Sequence, residues 1–331
     1  MSQHDFTVDN GAGVAVRADI NLALKALASQ SSGASAPSPT FPAQVWADTG
    51  TGRLKQRDAA NANWVDKGPI DGAMAPLDSP VFTGQPQGNF PCLAGEARAA
   101  KMVVTTASTS ATLSADEIVV KAALGGLAYR IPSFSKTINL AAANGAGGMD
   151  TGSAPVSGYV ALYAIYNPLT TASALLAVNA TSSAAPQVYG GANMPTGYTA
   201  SGLVSVWRTN ASSQFSRGAM RDRKVSFDIV SVLSTSTQAA VLTSFTLSAF
   251  IPLNAVRIGG TMTAQSTVTS GLVVYIAADN LNIGMVFGGG VGTGTVTPFW
   301  MDLITPQTAY YIFTSTAGSP GMSYYVSSYE F

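Results

Sequence analysis

The residues that most often do enzyme chemistry are scarce in this sequence and poorly spaced for cooperation. Cys92 and His4 are the only cysteine and the only histidine among 331 residues. A Ser-His-Asp site would have to recruit His4 from the N-terminal end of the chain, and no G-x-S-x-G turn is present. A multi-cysteine metal site and an intrachain disulfide are both impossible. We therefore expect no metal, no cofactor and no catalytic residue.

Carboxylates offer one other route to catalysis. Hydrolysis of a glycosidic bond needs two carboxylates about 5 to 10 Å apart. The last hundred residues contain only Asp279, Asp302 and Glu330. An Asp279–Asp302 pair is conceivable, but solvated turn or strand residues are the simpler interpretation. Polysaccharide cleavage is therefore kept as an alternative only.

Two other segments invite a functional interpretation. The glycine run at 288–294 lacks a complete G-x-G-x-x-G pattern and any strand–helix context, so it predicts a mobile loop rather than a nucleotide site. Basic residues cluster at 217–224, where Asp222 lies among them. A phosphate-binding cluster is one interpretation, and a solvated strand end is the other.

Composition excludes several classes of protein. Lysine plus arginine and aspartate plus glutamate both number 17, so the net charge is zero and nothing points to nucleic acid. Charged residues make up 10% of the chain, against about 25% in ordinary domains. Apolar residues make up 47%, which argues against disorder. The first residues do not resemble a secretory signal, so we expect synthesis in a cytoplasm without a signal peptide.

The first 72 residues predict a small α+β module. Apolar residues at Ile20, Leu24 and Leu27 predict a helix over 17–30, capped by Asp19. Alternation around Trp46, followed by glycines at 50 and 52, predicts a β-hairpin. The module is too small to bury all of its large apolar residues, so we expect them to form an interface with another protein. Alternatively, Trp46 and Trp64 face each other across the hairpin and form a small core. The candidate interface residues are Phe6, Trp46, Leu54 and Trp64.

The rest of the chain predicts strands after a connector. The glycine and proline residues at 69–91 indicate an extended segment. We expect one helical turn at 96–101. Turn signals about ten residues apart then favour antiparallel β-sandwiches. A loss of charge after Asp228 marks a boundary. The predicted divisions are 1–72, a neck at 73–101, a first β-sandwich at 102–227 and a distal β-sandwich at 228–331.

Three segments together resemble bacteriophage tail fibre proteins. The motif APLDSPVFTGQPQG (75–88) is similar to one in tail fibre and tail collar proteins. The N-terminal segments DFTVDNGAGVAVRADINLALKALASQSSG and VWADTGTGRLKQRDAANANWVDKG resemble the attachment module of short-tailed phage fibres. NGAGGMDTGSAPVSGYVALYAIYN and MPTGYTASGLVSVWRTN resemble a fibre β-sandwich domain. The resemblance covers about residues 5–224, and no long repetitive shaft follows Gly88.

The resemblance implies a virion protein with three kinds of partner. These are two further copies in a homotrimer, a tail, adaptor or baseplate protein at the N-terminus, and a bacterial surface glycan or outer-membrane protein. A chain with little charge suits a three-fold axis, where like charges would be desolvated together. The candidate receptor contacts are Tyr275, Trp300 and Tyr325. The alternatives are a collar, head or tail decoration protein and a short depolymerising tailspike.

Overall fold

The computed structural model describes residues 3–71 and 92–331, which fall into two compact units. The first unit covers Met1–Pro86 and the second covers Gln87–Phe331. Most of the connector predicted at 73–101, including the motif at 75–88, lies outside the described residues. The prediction of a mainly β protein with one N-terminal helix is confirmed for the described residues, since the helix lies in the first unit and both units contain strands.

The first unit, over residues 3–71, contains one helix and a three-stranded antiparallel sheet. Helix α1 (Gly13–Ala28) precedes β1 (Val45–Asp48), β2 (Arg53–Arg57) and β3 (Trp64–Pro69), which lie in the order β1-β2-β3. The prediction that Asp19 caps the helix is wrong, because the helix begins six residues earlier. Residues 13–18 contain no proline and are rich in alanine and valine, so nothing ends the helix before Asp19. Asp19 instead accepts a hydrogen bond from His4.

The second unit, over residues 92–331, is built from fourteen strands joined in one antiparallel hydrogen-bonded sheet. The path through the sheet is β13-β16-β14-β17-β12-β11-β5-β6-β10-β8-β9, with β15 beside β14 and with β4 and β7 beside β6. The strands are β4 (Ala97–Arg98), β5 (Lys101–Val104), β6 (Ser110–Lys121), β7 (Ala128–Asn139), β8 (Tyr159–Tyr166), β9 (Ser173–Asn179), β10 (Ala200–Arg208), β11 (Gly218–Arg221), β12 (Lys224–Thr235), β13 (Ala239–Thr246), β14 (Arg257–Ala277), β15 (Val286–Asp302), β16 (Thr308–Ser315) and β17 (Pro320–Glu330).

Two local predictions in this unit are wrong. The predicted helical turn at 96–101 is strand β4 followed by the start of β5. The glycine run at 288–294 is not a loop but part of the first half of β15, which pairs with β14. A Cβ atom at Gly289 would lie 2.5 Å from the carbonyl oxygen of Leu272, so glycine is the residue that fits where the two strands come this close.

The predicted boundary near Asp228 stays a prediction. Strand β12 runs through that position, pairing with β11 at its beginning and with β17 over most of its length. Phe245 of β13 stacks on Tyr324 of β17 at 5.5 Å, although these strands are not neighbours in the sheet. Within 3–71 and 92–331, no helix is long and apolar enough to cross a membrane.

Candidate functional site

The candidate site lies on the face of β14 that points away from the core. Ile258, Met262 and Ala264 are fully or almost fully buried. Side chains alternate between the two faces of a strand, so Thr261, Thr263 and Gln265 point to the opposite face. The regular pairing of β14 with β15 from Arg257 to Gln265 keeps this alternation in phase.

A cleft of about 560 Å³ opens on this face between β12, β14 and β17. We call it the hydroxyl cleft, because hydroxyl and amide groups dominate its lining. Among the residues that the structure describes, no lysine, arginine, aspartate or glutamate contributes to it. Its volume lies within the range of about 300 to 1,000 Å³ that is usual for small-ligand sites. The lining residues are Ser234, Thr235, Ser236, Thr263, Gln265, Gly321, Met322, Ser323 and Tyr325.

Hydrogen bonds between strands fix part of this lining. Ser323 Oγ donates to Ser234 Oγ at 2.9 Å, and Thr263 Oγ1 donates to the carbonyl oxygen of Ser323 at 3.4 Å. The exposed amide of Gln265 makes no hydrogen bond to any residue that the structure describes. The cleft therefore combines positioned hydroxyl groups with an amide that is available to a ligand.

Trp300 lies on the same outer face, toward the start of β14. It pairs with Gly259, and a Cβ atom there would overlap the Trp300 ring, so the indole lies directly across the strand. Its side chain is 42% exposed, and Lys224 Nζ lies 4.2 Å from the ring centroid. The tryptophan is thus an aromatic platform at the charged end of the face.

Tyr275 belongs to a different surface. Its ring lies 4.9 Å from that of Phe287, across the second half of the β14–β15 hairpin. Phe287 is 53% exposed and Val291, on the same face, is 85% exposed. The turn that joins the two strands adds exposed Leu281 and Ile283. We call Tyr275, Leu281, Ile283, Phe287 and Val291 the apolar patch.

The structure therefore divides the three predicted receptor contacts. Tyr325 lines the hydroxyl cleft, Trp300 lies on the same face as the cleft, and Tyr275 lies in the apolar patch. Their role in receptor binding stays a prediction. Sequence reasoning missed Ser234, Thr263, Gln265 and Ser323, which carry no charge and no aromatic ring. The alternation of Thr261, Thr263 and Gln265 with apolar residues was the available signal.

The candidate carboxylate pair is not brought together. Asp302 Oδ1 accepts from Arg257 Nε at 2.5 Å, beside the first residue of β14. Asp279 follows the last residue of that strand, and its side chain accepts hydrogen bonds from the backbone of Leu281 and Ile283. All 21 residues of β14 separate the two carboxylates. In the described ranges, no group of three histidine, cysteine, aspartate or glutamate residues is placed to hold a metal ion.

The basic residues at 217–224 do not converge on one site. Arg217 forms an ion pair of 3.1 Å with Asp228. Arg223 Nε donates to the carbonyl oxygen of Phe331 at 2.6 Å, and burial lowers the pKa of this guanidinium. Lys224 covers Trp300. These three cations thus have separate structural contacts.

In the first unit, the two tryptophans meet. Trp46 is 6% exposed, and its ring makes an edge contact with that of Trp64 at 5.3 Å. Phe6 contacts Phe41, and Leu54 is half-buried. The role of Phe6, Trp46, Leu54 and Trp64 in tail attachment stays a prediction.

A charged contact supports the same sheet. The buried carboxylate of Asp48 accepts from Lys55 Nζ at 2.7 Å and from the Thr51 hydroxyl, and these hydrogen bonds lower its pKa to about 2. Helix α1, by contrast, leaves Leu24 and Leu27 more than half exposed. The first unit therefore has a fixed sheet and an uncovered apolar helix surface.

Comparison with known proteins adds no family to these observations. A scan against models of protein families finds no match, and a search of curated proteins finds no similar sequence. The functional conclusion therefore depends on the residues and geometry of this chain.

Proposed function

We propose that this chain is a subunit of a bacteriophage tail fibre that binds the surface of a bacterial host. The observation that carries the proposal is the hydroxyl cleft. A neutral cleft rich in hydroxyl groups, with a tyrosine ring at its edge, suits recognition of a surface glycan. The sequence motifs at 75–88, 144–167 and 194–210 support the same class of protein.

The proposal includes a homotrimer whose second unit folds as two β-sandwiches. The stack of Phe245 on Tyr324 supports face-to-face packing of two layers within residues 228–331. The apolar patch supports an interface between copies of the chain, because exposed apolar side chains of this size favour contact. The hairpin lacks charged side chains between Arg257 and Asp279 and again between Asp279 and Asp302, so a symmetric contact there would bury few like charges.

The proposal assigns tail attachment to the first unit. Leu24 and Leu27 of helix α1 are 56% and 63% exposed, and the unit leaves Ile20 partly uncovered beside them. Docking of an amphipathic helix into an apolar groove uses residues at this spacing. We expect a Leu24→Ser/Leu27→Ser variant to assemble as the parent does but to be absent from virions. Immunoblots of purified particles would measure this. Leu22→Ser is the matched control, because Leu22 is 52% exposed but lies about 160° around the helix from Leu24.

Binding to whole cells tests the proposed function. Labelled full-length protein should bind bacteria that the phage infects and should compete with phage adsorption. Bacteria resistant at the adsorption step should not bind it. Failure to bind adsorption-competent cells, with the protein present in virions, would contradict receptor binding and favour a decoration protein.

A further inference from the structure

We infer that the hydroxyl cleft binds a neutral oligosaccharide in an extended conformation along strand β14. The inference rests on the proposed function and deepens it, because it names the class of ligand and the residues that contact it. The ligand would lie across Thr261, Thr263 and Gln265, with Tyr325 on one side.

The chemistry of the lining matches a sugar. A sugar presents hydroxyl groups that both donate and accept hydrogen bonds, and the side chains of Ser234, Thr263 and Ser323 do the same. Gln265 adds two donors and an acceptor that no described residue uses. The half-buried ring of Tyr325 provides an apolar surface for the C–H face of a sugar ring.

The distribution of charge selects a neutral ligand. Along β14 and β17, the charged residues are Arg257 and Glu330, which form an ion pair of 3.1 Å and lie beyond Gly259. A carboxylate or phosphate in the cleft would lose hydration without gaining a cation. Acidic sugars are therefore disfavoured by this site. The reason is the uncharged lining of the cleft and not the net charge of the protein, which is zero.

The geometry selects an extended ligand. Thr261, Thr263 and Gln265 lie on one face of a regular strand, and four residues of strand span about 13 Å. Trp300 lies on the same face at Gly259, so an aromatic platform continues the site by a further two residues. This row of contacts fits more than one sugar ring.

A second polar groove in the molecule provides a matched control. It lies on β5, β6 and β7 and is also lined by hydroxyl groups, with Thr112 Oγ1 at 2.7 Å from Thr137 Oγ1. It contains Lys101 and no aromatic ring. A ligand that only requires surface hydroxyl groups would use both grooves, whereas the inferred ligand requires the hydroxyl cleft.

The test uses polysaccharides extracted from the bacteria that the protein binds, separated by anion exchange into neutral and acidic fractions and cut to oligosaccharides. Calorimetry with the full-length protein should show binding to the neutral fraction. Tyr325→Ala and Thr263→Val should each weaken it about tenfold or more, while Tyr325→Phe and Thr112→Val should change it less than about threefold. Circular dichroism and mass in solution should be the same for all four variants.

Each other outcome overturns the inference. Binding to the acidic fraction alone, or equal binding by Tyr325→Ala and the parent, would place the ligand elsewhere. Binding to cells without binding to either fraction would favour a protein receptor and leave the proposed function in place. Failure to bind cells and both fractions extracted from the infected host would contradict the inference and the proposed function together.

Discussion

The hydroxyl cleft and the apolar patch share strand β14, and the outward side chains of that strand differ between the two surfaces. In the first half of β14 the outward residues include Thr261, Thr263 and Gln265, whereas near its end Tyr275 points outward. The first half of β14 pairs with β17 and the second half pairs with β16, so the two halves of one continuous strand have different neighbours in the sheet. The inward residues are apolar in both halves, with the buried serines Ser266 and Ser270 between them. The core thus leaves the outward positions free to specify two kinds of surface, one suited to sugars and one suited to protein.

The largest expected effect comes from charging the apolar patch. A Phe287→Asp/Val291→Asp variant should be monomeric, because three copies of each carboxylate would have to be desolvated at the contact. Light scattering should then give about 34 kDa instead of about 101 kDa, which is three times the chain mass of 33.8 kDa. Both side chains are more than half exposed, so the monomer should keep its fold by circular dichroism.

The matched control is Val296→Asp. Val296 is 69% exposed on the outer face of the same strand, beside Thr263 rather than beside Tyr275. This variant should remain a trimer. If the parent chain is itself monomeric, or if Val296→Asp dissociates it equally well, the apolar patch is not the contact between copies.

The next effect concerns glycines in the same hairpin. A Cβ atom at Gly260 would overlap the backbone of Tyr325, at a point where the register between β14 and β17 shifts. Gly260→Ala should therefore lower the free energy of unfolding by about 1 to 3 kcal/mol, the usual cost of overpacking. Gly290 of β15 has open space around its Cβ position, so Gly290→Ala should change stability by less than about 1 kcal/mol.

Urea unfolding of both variants would measure this difference. Gly260→Ala should also weaken glycan binding, because Tyr325 and Thr261 are directly paired. Equal stability of the two variants would mean that the strand adjusts at the bulge without cost. The support of the hydroxyl cleft would then be less rigid than the close approach of β14 and β17 indicates.

A segment can be predicted from the sequence when its own residues specify its structure, and it is missed when contacts with neighbouring strands specify it. Strand β8 (Tyr159–Tyr166) can be predicted from the sequence alone, because a continuous apolar run between turn signals specifies a buried strand by itself. In strand β15 only the end, from residue 299, carries a strand pattern in the sequence, whereas the glycine-rich first half carries none. The close approach of Gly289 to the backbone of Leu272 explains one of these glycines, and it depends on the pairing with β14. Helix α1 was predicted at its C-terminal end but began earlier than expected, because Ala12 provides no capping side chain as a signal.

The candidate site shows the same limit. Tyr325 was selected as an aromatic near the end of the chain, and it does line the cleft. Ser234, Thr263 and Ser323 come from three strands whose adjacency depends on a β12-β17-β14 order that no local pattern encodes. A site made of uncharged side chains therefore becomes visible only after the strands are paired.

The smallest expected effect is the response of glycan binding to salt. Raising salt from about 0.1 M to about 1 M shortens the Debye length from about 10 Å to about 3 Å and weakens exposed charge interactions. No charged residue of the described ranges lines the hydroxyl cleft, so the affinity for the neutral oligosaccharide should change less than about twofold. Titration calorimetry at both salt concentrations would measure this. A tenfold loss at high salt would instead place the ligand at the Trp300 end of the face, where Lys224 and Arg257 provide the charge.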